Sequence, residues 1–209
     1  MRSYGQYCGL ARSLEIVGDR WNLLIVRELL IASARYRDLI DRLPGIATNL
    51  LADRLRDLEA AGVVERRLAG EGSAVEYALT PWGAELRRPI ESLLRWSTPL
   101  MVSGPAGGDS FRPEWLTLAV PALLDGRVKV RAAAAIGLVV GEQTLQLLAT
   151  RAGFEVGPHD GRKLDASLTA VPGCILGLAA GALSLGDARV LGLVEVDGDE
   201  TAIRSVFGA

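Results

Sequence analysis

Between Tyr36 and Gly62 apolar residues recur at helical spacing on either side of one break. Leu39, Ile40 and Leu43 form one stripe; Leu51, Leu55, Leu58 and Ala61 form the next. Leu43-Pro44-Gly45-Ile46 separates them, so the pattern predicts two short helices joined by a tight turn. Winding the second helix at about 100° per residue sets Asn49, Ala52, Asp53, Arg56 and Ala60 opposite the leucines. A narrow face of small and hydrogen-bonding groups suits a helix that enters a DNA major groove, where Asn and Arg read base edges. A helical hairpin with a merely solvated face is the other reading of the same pattern.

The flanking pattern adds elements in a definite order. Tyr7 to Val17 reads as a helix with Leu10, Leu14 and Val17 inward, stopped at Gly18. Asp19 then stands where it would cap a helix from Trp21 to Ile31, whose Leu24, Ile25, Leu29 and Leu30 leave little polar surface. After the two-helix unit come two β-rich runs, Val63 to Leu68 and Val75 to Thr80, joined by the flexible tip Ala69 to Ala74. Helix, helix, helix-turn-helix and hairpin make the order of a winged helix domain, with Arg66 and Arg67 as the charges of the wing. Thr80-Pro81-Trp82-Gly83 opens a further amphipathic helix, Ala84 to Trp96, carrying Leu86, Ile90, Leu93 and Leu94 on one side; Pro89 bends it or delays its start. That helix either packs back on its own domain or pairs with its counterpart in a dimer, with the first helix completing the seam.

Composition narrows the class. No apolar run reaches the length that spans a bilayer, and the N-terminus lacks a signal-peptide layout, so the expectation is a soluble cytoplasmic chain that meets no membrane. Cys8 and Cys174 are the two cysteines, too far apart and too few for a disulfide framework. Of 23 basic residues only Lys129 and Lys163 are lysine, and the net charge is −2, so any nucleic-acid site rests on local clustering of arginine. His159 is the sole histidine and sits in a Gly-Pro turn; there is no Cys/His metal spacing, phosphate-cradling glycine motif or Gly-x-Ser-x-Gly elbow. The expectation is therefore no enzyme, no catalytic residue, no metal and no cofactor.

The segments Tyr7 to Glu15, Gly18 to Leu29, Leu43 to Ile46, Asn49 to Gly62 and Glu76 to Thr80, in this order, resemble the HxlR-type winged helix-turn-helix transcriptional regulators over residues 4 to 97. The resemblance implies a homodimer on a double-stranded, pseudo-palindromic DNA operator. Carried over to this chain, the contacting residues are Arg35, Arg37, Thr48, Asn49, Asp53, Arg54 and Arg56, with Arg66 and Arg67 of the wing on phosphates. Three positions depart from the family pattern: Ala47 replaces a helix-capping Ser, so that Thr48 must cap the helix or meet a phosphate; Gly9 replaces a Pro after Cys8; and the wing tip carries Glu71 and no basic residue. Some members sense oxidants or electrophiles through a cysteine at the position of Cys8, which would need a thiol pKa lowered by cations such as Arg12; an unreactive packed cysteine is the alternative.

Ser103-Gly104-Pro105-Ala106-Gly107-Gly108-Asp109-Ser110 is the clearest compositional boundary. It divides the chain into a DNA-binding and dimerisation domain at 1–102, a linker at 103–110 and a second domain at 111–209. The second half reads as a helix from Pro113 to Leu124, strands at Val128 to Val140, Glu142 to Thr150, Phe154 to Val156 and Ala166 to Ala170, and helices at Pro172 to Ala180 and Ala182 to Val190. A strand at Leu193 to Val196 and a closing helix at Glu200 to Phe207 complete it. The fold class is α+β: a winged helix-turn-helix domain followed by an α/β sandwich. The helices are rich in Gly, Ala and Leu, so the core beneath them either closes tightly or leaves an apolar cavity.

Leu164 to Ala170, the helix at Gly173 to Ala180, Gly181 to Ala188 and Leu193 to Asp199 resemble the C-terminal half of the sterol carrier protein fold, which holds lipids or other hydrophobic molecules between its sheet and helices. That resemblance implies a ligand-binding domain, with Trp115, Leu118, Leu138, Leu147, Phe154, Leu176 and Leu183 as the candidate contacts. Joined to the first domain it implies a dimeric regulator that senses a hydrophobic small molecule. A carrier whose winged helix has lost operator binding is the alternative.

Overall fold

The computed structural model describes residues 3–68, 74–101, 104–130 and 132–208. The expected wing tip, apart from Ala74, and Ser103 of the expected linker lie outside the described residues. The chain divides into two compact units, Met1–Ile90 and Glu91–Ala209.

In the first unit, α1 (Gly9–Val17), α2 (Asn22–Ile31), α3 (Tyr36–Arg42) and α4 (Thr48–Ala60) precede a hairpin of β1 (Val64–Leu68) and β2 (Val75–Leu79), a short α5 (Pro81–Ala84) and the start of α6 (Arg87–Ser97). Leu39 and Leu43 of the first stripe and Leu51, Leu55 and Leu58 of the second are buried, together with Ile25, Val26 and Leu29 of α2. Truncating any one of these leucines to alanine removes contacts worth about 2 to 5 kcal/mol. The break between α3 and α4 is a turn in which Ile46 N–H donates to the Leu43 carbonyl at 3.2 Å. Gly45 takes φ +90°, a conformation side-chain-bearing residues rarely adopt. β1 and β2 pair antiparallel from Val64↔Leu79 to Leu68↔Val75. A third short segment joins them, since Ala34 and Tyr77 exchange both backbone hydrogen bonds.

Several expectations are corrected here. Leu10 and Leu14 face outward, 68% and 41% exposed, and Ala11 is the residue of α1 that is buried. The apolar face of that helix is thus left uncovered within one chain. Asp19 does not cap α2 with its side chain; its carbonyl accepts from Asn22, and its carboxylate turns to Arg54. The helix expected from Ala84 is two pieces, because Thr80 caps a short turn at Pro81, its Oγ1 accepting from Gly83 N–H at 3.0 Å, and Pro89 then sits in the first turn of α6, where its missing N–H costs nothing. Gly83 is needed there: a Cβ would lie 2.0 Å from the Val63 carbonyl oxygen.

The second unit holds the rest of α6, a 3-10 turn at Pro113–Trp115, α7 (Leu116–Leu124), β3 (Ala134–Val140), β4 (Gln143–Thr150), β5 (Gly153–Pro158), β6 (Ala166–Ala170), α8 (Pro172–Ala180), α9 (Leu185–Val190), β7 (Val194–Gly198) and α10 (Glu200–Phe207). The five strands form one mixed sheet in the order β5-β4-β3-β6-β7, with β3 and β6 parallel and every other pair antiparallel. Alternate residues Ile136 and Leu138, Leu145 and Leu147, and Leu168 enter the core. Leu116, Val120 and Leu124 of α7, Ile175 and Leu178 of α8, and Ile203, Val206 and Phe207 of α10 meet them there.

Two boundaries differ from the pattern for identifiable reasons. The strand expected from Val128 starts at Ala134, because Arg127 donates from Nε to the Ala179 carbonyl and from Nη2 to the Leu178 carbonyl, each at 3.0 Å, and anchors this segment to the end of α8. The helix expected from Ala182 starts at Leu185, because Gly181 ends α8 at φ +71° and the Ser184 hydroxyl caps α9 by accepting from Asp187 N–H at 3.0 Å.

Candidate nucleic-acid interface

The leucine stripe of α4 locks into the first unit, so the opposite side of the helix is presented outward by default. Thr48, Asn49, Arg56 and Ala60 are exposed, and Ala52 and Asp53 are half-buried. Ala47 stands at the N-cap and no side chain caps the helix. Thr48 is its first residue, so it does not replace the missing cap. The Asn49 side chain instead accepts from Leu50 N–H at 3.0 Å, and the Tyr36 hydroxyl donates to the Thr48 carbonyl, tying the start of α3 to the start of α4.

The arginines divide into two groups. Arg54 pairs with Asp19 and, at 3.3 Å, with Asp57; Arg56 pairs with Asp53; Arg66 pairs with Glu59 at 3.1 Å and lies over the Tyr77 ring; Arg67 donates from Nε to Glu65 at 2.7 Å. Each of these cations therefore meets a carboxylate within its own chain. Arg35 and Arg37, at the start of α3, are exposed and make no ion pair among the described residues. Exposed pairs of this kind are worth about 0 to 1 kcal/mol, so a phosphate can displace the carboxylate from Arg56, Arg66 or Arg67 at small cost. Arg54 is the exception, with only 21% of its side chain exposed.

Cys8 is exposed at the N-cap of α1. Its thiol is held below the usual range, chiefly by the Ala11 backbone amide and then by that of Leu10. The expected cation is not the cause: Arg12 is paired with Glu15 at 3.0 Å. Sequence reading also missed the buried polar residues of α2. Asn22 donates to the Ile16 carbonyl at 2.7 Å, and Glu28 accepts from Arg27 at 2.8 Å. A helix that reads as apolar all round gives no signal that two of its polar residues are interior.

Of the candidate ligand contacts, the structure brings Leu138, Leu147, Phe154, Leu176 and Leu183 into one core, the first two fully buried and the other three packed against them. Leu118 is buried on α7. Trp115 precedes that helix and meets Phe111 edge-to-face, ring centroids 5.7 Å apart. Among the described residues no cluster of His, Cys, Asp or Glu is arranged to hold a metal ion, and no helix is long and apolar enough to cross a membrane.

Two helices, a helix-turn-helix with an outward polar face and a two-stranded wing define the first unit as a winged helix-turn-helix domain, the class of small DNA-binding domains. The chain belongs to the HxlR-like helix-turn-helix family, whose profile matches residues 16–103. An HTH-type transcriptional regulator of Synechocystis sp. is 36% identical over 84 residues, which are 40% of this chain and 62% of that protein, so the match leaves more than a third of that relative uncovered. The HTH-type transcriptional regulator YvaP of Bacillus subtilis is 34% identical over 88 residues, 42% of this chain and 82% of that one. The solved structure of the reduced form of the transcriptional regulator YodB from B. subtilis has 29% sequence identity and a TM-score of 0.41, covering 48% of this chain and all of that one.

Proposed function

We propose that this protein is a dimeric, DNA-binding transcriptional regulator of the cytoplasm whose second unit senses a hydrophobic small molecule. The observation that carries the first part is the outward face of α4, with Asn49 and Arg56 exposed on a helix whose other side is locked into the core. Asn and Arg there read base edges; Thr48 and the uncapped start of α4 approach a phosphate, as helix N-termini do. Arg35, Arg37, Arg66 and Arg67 contact the backbone, and Arg54 orients α4 through its pair with Asp19.

The uncovered apolar residues support the dimer. Tyr7, Leu10 and Leu14, on and just before α1, are exposed in the single chain, an apolar stripe that a second copy would cover. A two-fold dimer sets two α4 helices on half-sites of a palindrome. The mixed sheet with its Gly- and Ala-rich helices supports the sterol carrier protein-like reading of residues 111–209, joined through 103–110. An apolar effector then acts by binding one dimer geometry better than the other.

The charges of α4 favour a second reading, a hydrophobic-ligand carrier that has lost operator binding: Asp53, Asp57 and Glu59 outnumber Arg54 and Arg56. A gel-shift titration of the full chain against the DNA upstream of its own gene, with nonspecific competitor, separates the two. A specific shift that Arg56→Ala removes supports the regulator. No specific shift at any salt concentration, with an apolar ligand retained, supports the carrier. Cys8 supplies a separate input to the regulator: an exposed thiol of lowered pKa reacts with electrophiles and oxidants faster than an ordinary one.

A further inference from the structure

Ala47 takes φ −72° and ψ 144° before the first turn of α4, the extended backbone of a helix N-cap, yet it has no side-chain oxygen to offer the amides that follow. The first amides of a helix have no acceptor within the helix itself. At the third residue of α4 that gap is filled from within the turn: the Asn49 Oδ1 accepts from Leu50 N–H at 3.0 Å. The same turn is tied to α3, since the Tyr36 hydroxyl donates to the Thr48 carbonyl. The missing cap at Ala47 thus sets which way the Asn49 amide points.

This orientation divides the side chain. Oδ1 is committed to Leu50, while Nδ2 makes no hydrogen bond among the described residues and the residue is exposed on the outward face. Asparagine ordinarily reads adenine with both ends of its amide, Oδ1 accepting from N6 and Nδ2 donating to N7. With Oδ1 taken, Asn49 offers donors only, and beside adenine its NH2 group meets the N6 amine, a second donor. Guanine presents acceptors at both O6 and N7. Turning Oδ1 to adenine would gain one hydrogen bond and strand the Leu50 amide at a surface that DNA strips of water, where a donor without a partner carries its full desolvation cost. Ala47 supplies no substitute acceptor.

We infer that Asn49 is a specificity-determining residue that reads guanine rather than adenine, as a donor-only group held so by the absent side-chain cap at Ala47. This rests on the regulator reading above and adds the base that the start of α4 selects. In the sequence Ala47 and Asn49 stand out separately, one as a departure from the family pattern and one as a contact; the hydrogen bond to Leu50 joins them.

The test is selection of binding sites from randomised double-stranded DNA by the full-length protein and by its Asn49→Ala and Ala47→Ser variants. The base pair whose preference is lost in Asn49→Ala is the one that Asn49 reads. In the unaltered protein a G·C pair is preferred there over an A·T pair by about fivefold, the worth of one hydrogen-bond contact. Ala47→Ser places a hydroxyl where Leu50 N–H can donate to it, releases Oδ1 and moves the preference at that one pair to A·T, with a melting temperature equal to or above that of the unaltered protein. A preference for A·T in the unaltered protein overturns the inference and leaves the regulator reading standing. A G·C preference that a folded Ala47→Ser variant does not change has the same consequence, as does a selected sequence that Asn49→Ala leaves unaltered. No enriched sequence with any of the three proteins overturns both the base assignment and the regulator.

Discussion

Arg54, in the middle of α4, reaches back to the carboxylate of Asp19 in the loop before α2 and also meets Asp57 one turn along its own helix. The pair bridges two segments 35 residues apart and ties α4 to the loop before α2. Replacing Arg54 by alanine is expected to lower unfolding stability by about 1 kcal/mol, as Asp19→Ala does, with a coupling between the two of about half that or more. Urea denaturation of the single and double variants measures it. Additive effects would mean that the two side chains do not work as a pair.

Arg56 is the residue of α4 on which sequence recognition is expected to turn. It is exposed, and its contact is with Asp53 on the same helix, so Arg56→Ala leaves the fold intact. A bidentate contact to guanine is worth about 1 to 3 kcal/mol, so the specific complex weakens by that amount while nonspecific binding changes little. Competition gel shifts with operator and scrambled DNA resolve the two. Equal loss on both DNAs would reassign Arg56 to a phosphate.

Arg35 and Arg37 are expected to behave differently, since their side chains are exposed and make no ion pair among the described residues. Each replacement by alanine reduces the slope of log affinity against log salt by about 1, uniformly across sequences. Asp53→Asn acts in the opposite direction, because it removes a negative charge beside the DNA face and frees Arg56. An unchanged salt slope in the Arg35→Ala, Arg37→Ala double variant would place the start of α3 away from the backbone.

The thiol of Cys8 is held below its ordinary value, so thiolate is present at lower pH than for a free cysteine. Alkylation by iodoacetamide should therefore rise with pH through a midpoint below that of a model thiol, and one cysteine should react in the folded protein, since Cys174 is buried. Arg12→Ala leaves the midpoint in place, because backbone amides set it. A midpoint equal to that of a free cysteine would show that those amides do not stabilise the thiolate.

Gly83→Ala sets a methyl group against the Val63 carbonyl at 2.0 Å and is expected to cost about 1 to 3 kcal/mol or more by displacing α5 from the wing. Gly173→Ala, in α8 with nothing within 4 Å of the new Cβ, is expected to be neutral or to stabilise by up to about 1 kcal/mol. Thermal melting of the two variants tests the contrast; similar midpoints would show that the Val63 contact relaxes freely.

The sequence by itself determined the elements whose signals are local. The leucines of α4 repeat every three or four residues and Pro44-Gly45 punctuates them, so the helix-turn-helix and its outward face were legible down to Asn49 and Arg56. The hairpin at Val64 to Leu79 follows from the same short-range chemistry, whereas the cap expected at Asp19 does not form, because its carboxylate meets Arg54 instead. Periodicity gives the direction of a face but not what covers it. Leu10 and Leu14 share a helical stripe with Ala11 and Val17, and only the packing of the other helices shows that the two leucines are left in water. Charge likewise has no partner in one dimension. Arg54 and Arg56 are two residues apart and equally basic, yet one is drawn to Asp19 across 35 residues and the other stays outward. The parallel pairing of β3 with β6, two strands separated in sequence by the β4–β5 hairpin, required most from the tertiary structure. Strand pairing is a long-range choice, made by the burial of Ile136, Leu138 and Leu168 in a common core rather than by any signal within the strands.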